Sequence, residues 1–132
     1  MPRFSRVFPV ALLAAVTISS SGCFLVAAGA GAGAAIAYTQ RGASASVPGS
    51  VDAVFGKAQS AFNAMSINET GQSTENSGAT RRLVGKNGDN EITVEIKRSS
   101  DEVAAVEVVA KKNVVDYDKD LAKRVLDRIV GK

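Results

Sequence analysis

The chain has 132 residues, with 16 basic and 13 acidic side chains, one Cys, no His and no Trp. A single cysteine excludes an intrachain disulfide, and without His the usual transition-metal ligand sets cannot be assembled in one chain, so neither a metal nor another cofactor is expected. The basic excess sits at the front: without Arg3 and Arg6, 14 basic side chains face 13 acidic ones. So neutral a chain, with no basic stripe interleaved with aromatics, offers little to nucleic-acid phosphates.

Residues 1–22 read as an export signal. Arg3 and Arg6 form a positive start, Val7 to Ile18 an apolar run, and Ser19 to Gly22 a small-residue stretch before Cys23. Positive charge stays on the cytoplasmic side, and the apolar run is too short for a stable membrane span. Ser21-Gly22-Cys23 resembles the bacterial lipobox, with Ser20 standing where an aliphatic residue is usual. The resemblance implies cleavage between Gly22 and Cys23. It also implies a Cys23 thiol carrying diacylglycerol and a freed amino group taking a further acyl chain such as palmitate. Each buried CH₂ adds about 0.8 kcal/mol, so two or three chains anchor firmly where one does not. Phe24, not Asp, follows the cysteine. In a cell with two membranes that resemblance implies the outer membrane, with the protein facing the periplasm.

Residues 23–39 comprise Cys23 and an apolar Gly/Ala segment, with no charge from Cys23 through Gln40. As a helix, Phe24 to Tyr38 would span about 22 Å, short of the roughly 30 Å hydrocarbon core. Gly29 and Gly33 form a GxxxG pair, flanked by Ala30 and Ala34, the spacing that lets helices approach closely in lipid. Three readings stay open: a helix that enters the membrane or self-associates into a homo-oligomer, a flexible spacer, or a segment packed on its own domain. Residues 40–49 read as a linker or, from the alternation of Ala43 to Val47, a short strand.

Residues 50–132 are the expected domain. Ser50 is a good N-cap, and Val51, Val54, Phe55, Ala58, Ala61, Phe62 and Met65 recur at helical spacing, predicting a helix over 51–65. The polar run 66–80 reads as a loop or a weak edge strand. Strands are expected over Thr80 to Gly85, Glu91 to Lys97 and Val103 to Ala110, with Asn87-Gly88 as the two-residue turn of a hairpin. Asp116, Asp118 and Asp120 open a second helix whose stripe is Tyr117, Leu121, Val125 and Ile129. The expected fold is α+β: a small antiparallel sheet of three to five strands with an N-terminal and a C-terminal amphipathic helix on one face.

The chain resembles a family of small bacterial lipoproteins of unknown function over most of residues 22–130. The resemblance is carried by Gly22-Cys23, the Gly/Ala tract ending Ile36-Ala37-Tyr38, the segment Val47-Pro48-Gly49-Ser50-Val51-Asp52-Ala53-Val54-Phe55, the turn Lys86-Asn87-Gly88, and Leu121 to Ile129. The stretch around Pro48 to Phe55 is also similar to the start of helix-grip periplasmic domains.

No set of residues points to catalysis. Glu91 and Glu95 lie four apart on a strand, about 13 Å, too far for joint acid/base work. Asp116, Asp118 and Asp120 lack the central Gly and twelfth-position Glu of a calcium loop. Arg81-Arg82 offers charge to a phosphate or an acidic partner, Gly85-Lys86 lacks the rest of a phosphate loop, and no His exists to activate a serine. Asn68-Glu69-Thr70 fits a glycosylation pattern that has no use in a bacterium. The expected function is therefore a non-enzymatic envelope lipoprotein, held on membrane lipid through Cys23, whose domain binds an envelope protein. The alternatives are a structural membrane element self-associating through Gly29 and Gly33, and a carrier of a small apolar ligand.

Overall fold

The computed structural model describes residues 35–131. The elements, in chain order, are β1 (Ala37–Tyr38), β2 (Gly42–Pro48), α1 (Val51–Ala64), β3 (Asn68–Glu75), β4 (Thr80–Asn87), β5 (Asn90–Ser100), β6 (Val103–Lys111) and α2 (Lys119–Val130), with a 3₁₀ turn at Asn76–Gly78. The strands form one antiparallel sheet in the order β1-β2-β6-β5-β4-β3. After β2 the chain crosses to the far edge through α1. It then returns as a four-stranded meander that ends with β6 beside β2.

This corrects the expected architecture in two respects. The sheet has six strands, not three to five, and the helices do not bracket it, because α1 follows two strands. The extra strands arise where hydrophobic patterning is weakest. β1 is a two-residue pairing at the end of the Gly/Ala segment, and β3 contains no apolar side chain. Gly42–Pro48 is a full seven-residue strand paired along its length with β6, so the folded unit extends upstream of Ser50.

α1 forms because its apolar positions share one face and both ends are closed. The Ser50 hydroxyl accepts from the Ala53 N–H at 3.2 Å. At the far end, the Ile67 N–H donates to the Phe62 carbonyl and the Ser66 N–H to the Asn63 carbonyl. These paired bonds define a Schellman closure, with Ser66 at φ 55° where glycine is usual. In α2 the Asp118 carboxylate accepts from the Leu121 N–H at 2.8 Å, and Gly131 ends the helix at φ 86°. Tyr117, expected on the α2 stripe, lies before the helix and bridges to Lys111.

Both helices bury their stripes on one face of the sheet. Ile92, Val94 and Ile96 of β5 are fully buried, as are Leu83 of β4 and Val108 of β6, together with Phe62, Val125 and Leu126 from the helices. Small residues on β2 and β6 (Ala43, Ala45, Ala104 and Ala110) lie beneath α2, which packs on those two strands. The bulkier Leu83, Ile92 and Ile96 lie toward α1 and its two phenylalanines.

The β4–β5 turn is displaced by one residue from the expected Asn87-Gly88. Asn87 pairs with Asn90, so the loop is Gly88-Asp89. Gly88 alone has positive φ, at 59°, which is the φ pattern of a type II′ turn.

Candidate functional site: the uncovered face of the sheet

Strand alternation that sends Ile92, Val94 and Ile96 to the helices sends Glu91, Thr93, Glu95 and Lys97 to the opposite face. Register aligns this face into cross-strand rows. Ser73, Arg82, Glu95, Glu107 and Ser44 form one, on β3, β4, β5, β6 and β2. The next runs Gly71, Val84, Thr93, Val109 and Gly42, with Val84, Thr93 and Val109 half-buried. Beyond it, Lys86, Glu91 and Lys111 align. The face is thus an apolar row between two charged ones.

Glu95 organises the charged centre. Its Oε2 lies 2.6 Å from Arg82 Nη2 and its Oε1 lies 2.7 Å from Lys97 Nζ. Glu107 lies directly across the ladder from Glu95. Such an opposition of like charges is unfavourable alone, and the Lys97 ammonium lies close enough to feel both acids. The hydrogen bond from Lys97, and then that from Arg82, hold the Glu95 carboxyl below its usual range. The same contact with Glu95 raises both cations. A carboxylate with both oxygens engaged by cations makes a poor general base.

The pH response follows. Glu95 has a lower carboxyl pKa folded than unfolded, where it lies near 4.5. Its stabilisation is complete above that value and fades as pH falls through the folded-state value. Glu95→Gln removes this dependence. The melting temperatures of the wild type and Glu95→Gln therefore differ at about pH 6 and draw together on acidification below the ordinary carboxyl range. A gap that stays constant over that range contradicts the assignment.

The residues singled out from sequence are largely separated. Arg81 and Arg82 project to opposite faces. Arg81 bonds Asp52 at 3.0 Å and stacks 3.6 Å above the Phe55 ring, whereas Arg82 joins Glu95. They form no joint anion site. Glu91 and Glu95 share a face but different rows. Asp116 accepts from the Asn113 amide, Asp118 caps α2, and Asp120 makes a long 3.5 Å contact with the Tyr38 hydroxyl. Among the described residues, no three acidic, Cys or His side chains converge on a metal position. Gly85 gives its backbone room beneath Phe62 and Ile67, a packing role. Asn68 and Glu69 open β3. Gly22, Cys23, Gly29 and Gly33 lie outside the described residues.

Three features escaped the sequence reading. The Arg82–Glu95–Lys97 network needs register across β4 and β5, although the polar half of the Glu91 to Lys97 alternation marked those positions. The β6–α2 loop presents Val114 and Val115 at 82% and 77% exposure, held by the Asn113 side-chain oxygen accepting from the N–H groups of Val115 and Asp116. A solvent-open trough of about 680 Å³ lies between the helices, along Ala53, Gly56, Lys57 and Ser60 of α1 and Arg128 to Val130 of α2, with Gly131 just past its end.

The antiparallel sheet thus has one face under two helices and the other polar. The chain belongs to the family described as "Protein of unknown function (DUF3568)", which matches residues 6–129. No curated protein matches the chain.

Proposed function

We propose that this is a bacterial envelope lipoprotein, acylated at Cys23 and facing the periplasm from the outer membrane, whose sheet domain binds another envelope component without catalysing a reaction. The observation that carries the reading is Ser21-Gly22-Cys23 behind a positive and then apolar leader, a short distance upstream of β1. Among the described residues no helix is long and apolar enough to cross a membrane, and attachment in this reading rests on Cys23.

The binding half of the reading is supported by the uncovered face. A half-buried row of Val84, Thr93 and Val109 flanked by charged rows has the chemistry of a protein contact, an apolar centre with a polar rim. Among the described residues, both helices pack on the other face of the sheet.

The anchor is tested by fractionation. Wild type is expected in the membrane pellet, resistant to high salt, and Cys23→Ser is expected in the soluble or precursor fraction. A Cys23→Ser chain that remains as firmly membrane-bound as wild type contradicts lipid attachment at this residue.

A further inference from the structure

Among the described residues, β3 is the outer strand of the sheet and bonds to β4 alone. The direction of its free backbone groups follows from the hairpin. A two-residue loop makes Asn87 and Asn90 a hydrogen-bonded closing pair, and bonding then alternates along the ladder. Arg81, Leu83 and Gly85 turn their backbone groups toward β5; Thr80, Arg82 and Val84 turn theirs toward β3. The Arg98 N–H bond to the Ala79 carbonyl at 2.8 Å fits this phase. On β3 the residues opposite Thr80, Arg82 and Val84 are Glu75, Ser73 and Gly71. The N–H and C=O of Gln72 and Thr74 therefore point away from the sheet.

Within Gly71 to Glu75 there is no Lys and no Pro, the one charged side chain is Glu75 at its end, and all eight residues of β3 are exposed. A register irregularity at Glu69/Gly71 closes one end of the flat window, and the positive φ angles of Asn76, Ser77 and Gly78 close the other. The midpoint of that window is Ser73.

We infer that two copies of this chain join through β3, antiparallel and centred on Ser73, into one continuous sheet. In that register Gln72 of one copy exchanges both backbone bonds with Thr74 of the other, and symmetry repeats the pair. Glu75 faces Gly71, which has no side chain. Centring one residue earlier, on Gln72, would set Glu69 against Glu75 of the second copy, and like charges directly opposite are destabilising. Self-pairing about Ser73 is the arrangement that uses the whole flat window and keeps the acids apart.

So short a pairing buries far less than the roughly 1,200–2,000 Å² of a stable interface. It forms where copies share a surface and an orientation, because tethering raises the effective concentration. The inference thus rests on the lipid anchor proposed above.

The test uses the full chain in its native membrane. With the Cys23 thiol acylated, Ser73→Cys introduces a single free thiol. Across a non-hydrogen-bonded antiparallel pair the Cα atoms lie about 4.5 Å apart, within disulfide reach. Mild oxidation is expected to give a disulfide-linked homodimer about ten times or more above that of Lys57→Cys, a control on the exposed side of α1. Adding Thr74→Pro removes an outward N–H that the fold does not use. It is expected to abolish the cross-link while the melting temperature stays near that of Ser73→Cys alone.

A cross-link no greater than the Lys57→Cys control, one that survives Thr74→Pro, or one to a different protein overturns the inference. The intact mass of the same sample separates the two proposals. Acyl chains without a cross-link sink the edge pairing alone. An unacylated chain sinks the anchor, and because Cys23 is then a free thiol, a cross-link keeps the edge only if it vanishes when Ser73 is restored.

Discussion

Phe62→Ala lowers the stability of the domain by about 3–5 kcal/mol, the range for truncating a buried aromatic. Phe62 is 1% exposed and occupies the last turn of α1, where its carbonyl accepts the Ile67 N–H at 2.8 Å. Its ring lies over Gly85 of β4, so close that a Cβ there would come within 2.7 Å of Phe62 Cε2. The ring therefore joins α1 to the sheet beside Ile67 at the turn into β3, and its truncation opens a cavity over the Gly85 backbone. Domains of this size hold about 5–15 kcal/mol in total, so urea unfolding of the variant shifts to much lower denaturant. A loss below about 1.5 kcal/mol would mean that Phe62 is not the joint described here.

Gly42→Ala destabilises the opposite edge of the sheet by about 1–3 kcal/mol or more, because the added methyl meets backbone. A Cβ at Gly42 would run into the Val108 carbonyl oxygen and would lie 3.1 Å from the Val109 Cα, with no flexible side chain to yield. Relief requires β2 to lift from β6. That strains the turn in which the Thr39 N–H donates to the Gly42 carbonyl and the Gly42 N–H to the Thr39 hydroxyl. Gly56→Ala supplies the contrast. Gly56 sits mid-helix on α1 with nothing within 4 Å of an added Cβ, so this change stabilises by about 0.5–1 kcal/mol. Parallel thermal melts of the two variants check the pair. Shifts of the same sign would contradict the assigned environments.

What the sequence revealed and what it hid divide along one physical line. α1, α2, β5 and β6 were legible because each repeats apolar residues at the period of its own backbone, and the buried sets Val54-Phe55-Ala58-Phe62 and Ile92-Val94-Ile96 follow that period. β3 was ambiguous because nothing in Asn68 to Glu75 is apolar. Its strand conformation comes from pairing with β4, a non-local cause. β1 was hidden inside a Gly/Ala tract whose composition suits membrane, spacer and strand alike. The one-residue displacement of the hairpin turn shows the limit of a dipeptide signal, since register along the Thr80 to Lys97 ladder decides which residues close it.

The candidate site was less legible than the fold. Arg81 and Arg82 looked like one basic pair, yet alternation sends one to Phe55 and Asp52 and the other to Glu95. Glu95 drew notice for its spacing from Glu91, whereas its real partners lie on β4 and two positions along its own strand. Spacing within a strand was readable from the sequence, but neighbours across the sheet required the register.

The most direct test of the account is the intact mass of the mature protein from a native membrane fraction, beside a Cys23→Ser control. The account predicts a chain beginning at Cys23 and carrying two or three acyl chains, with no such species in the control. An unmodified chain, cut elsewhere or left uncut, would contradict it.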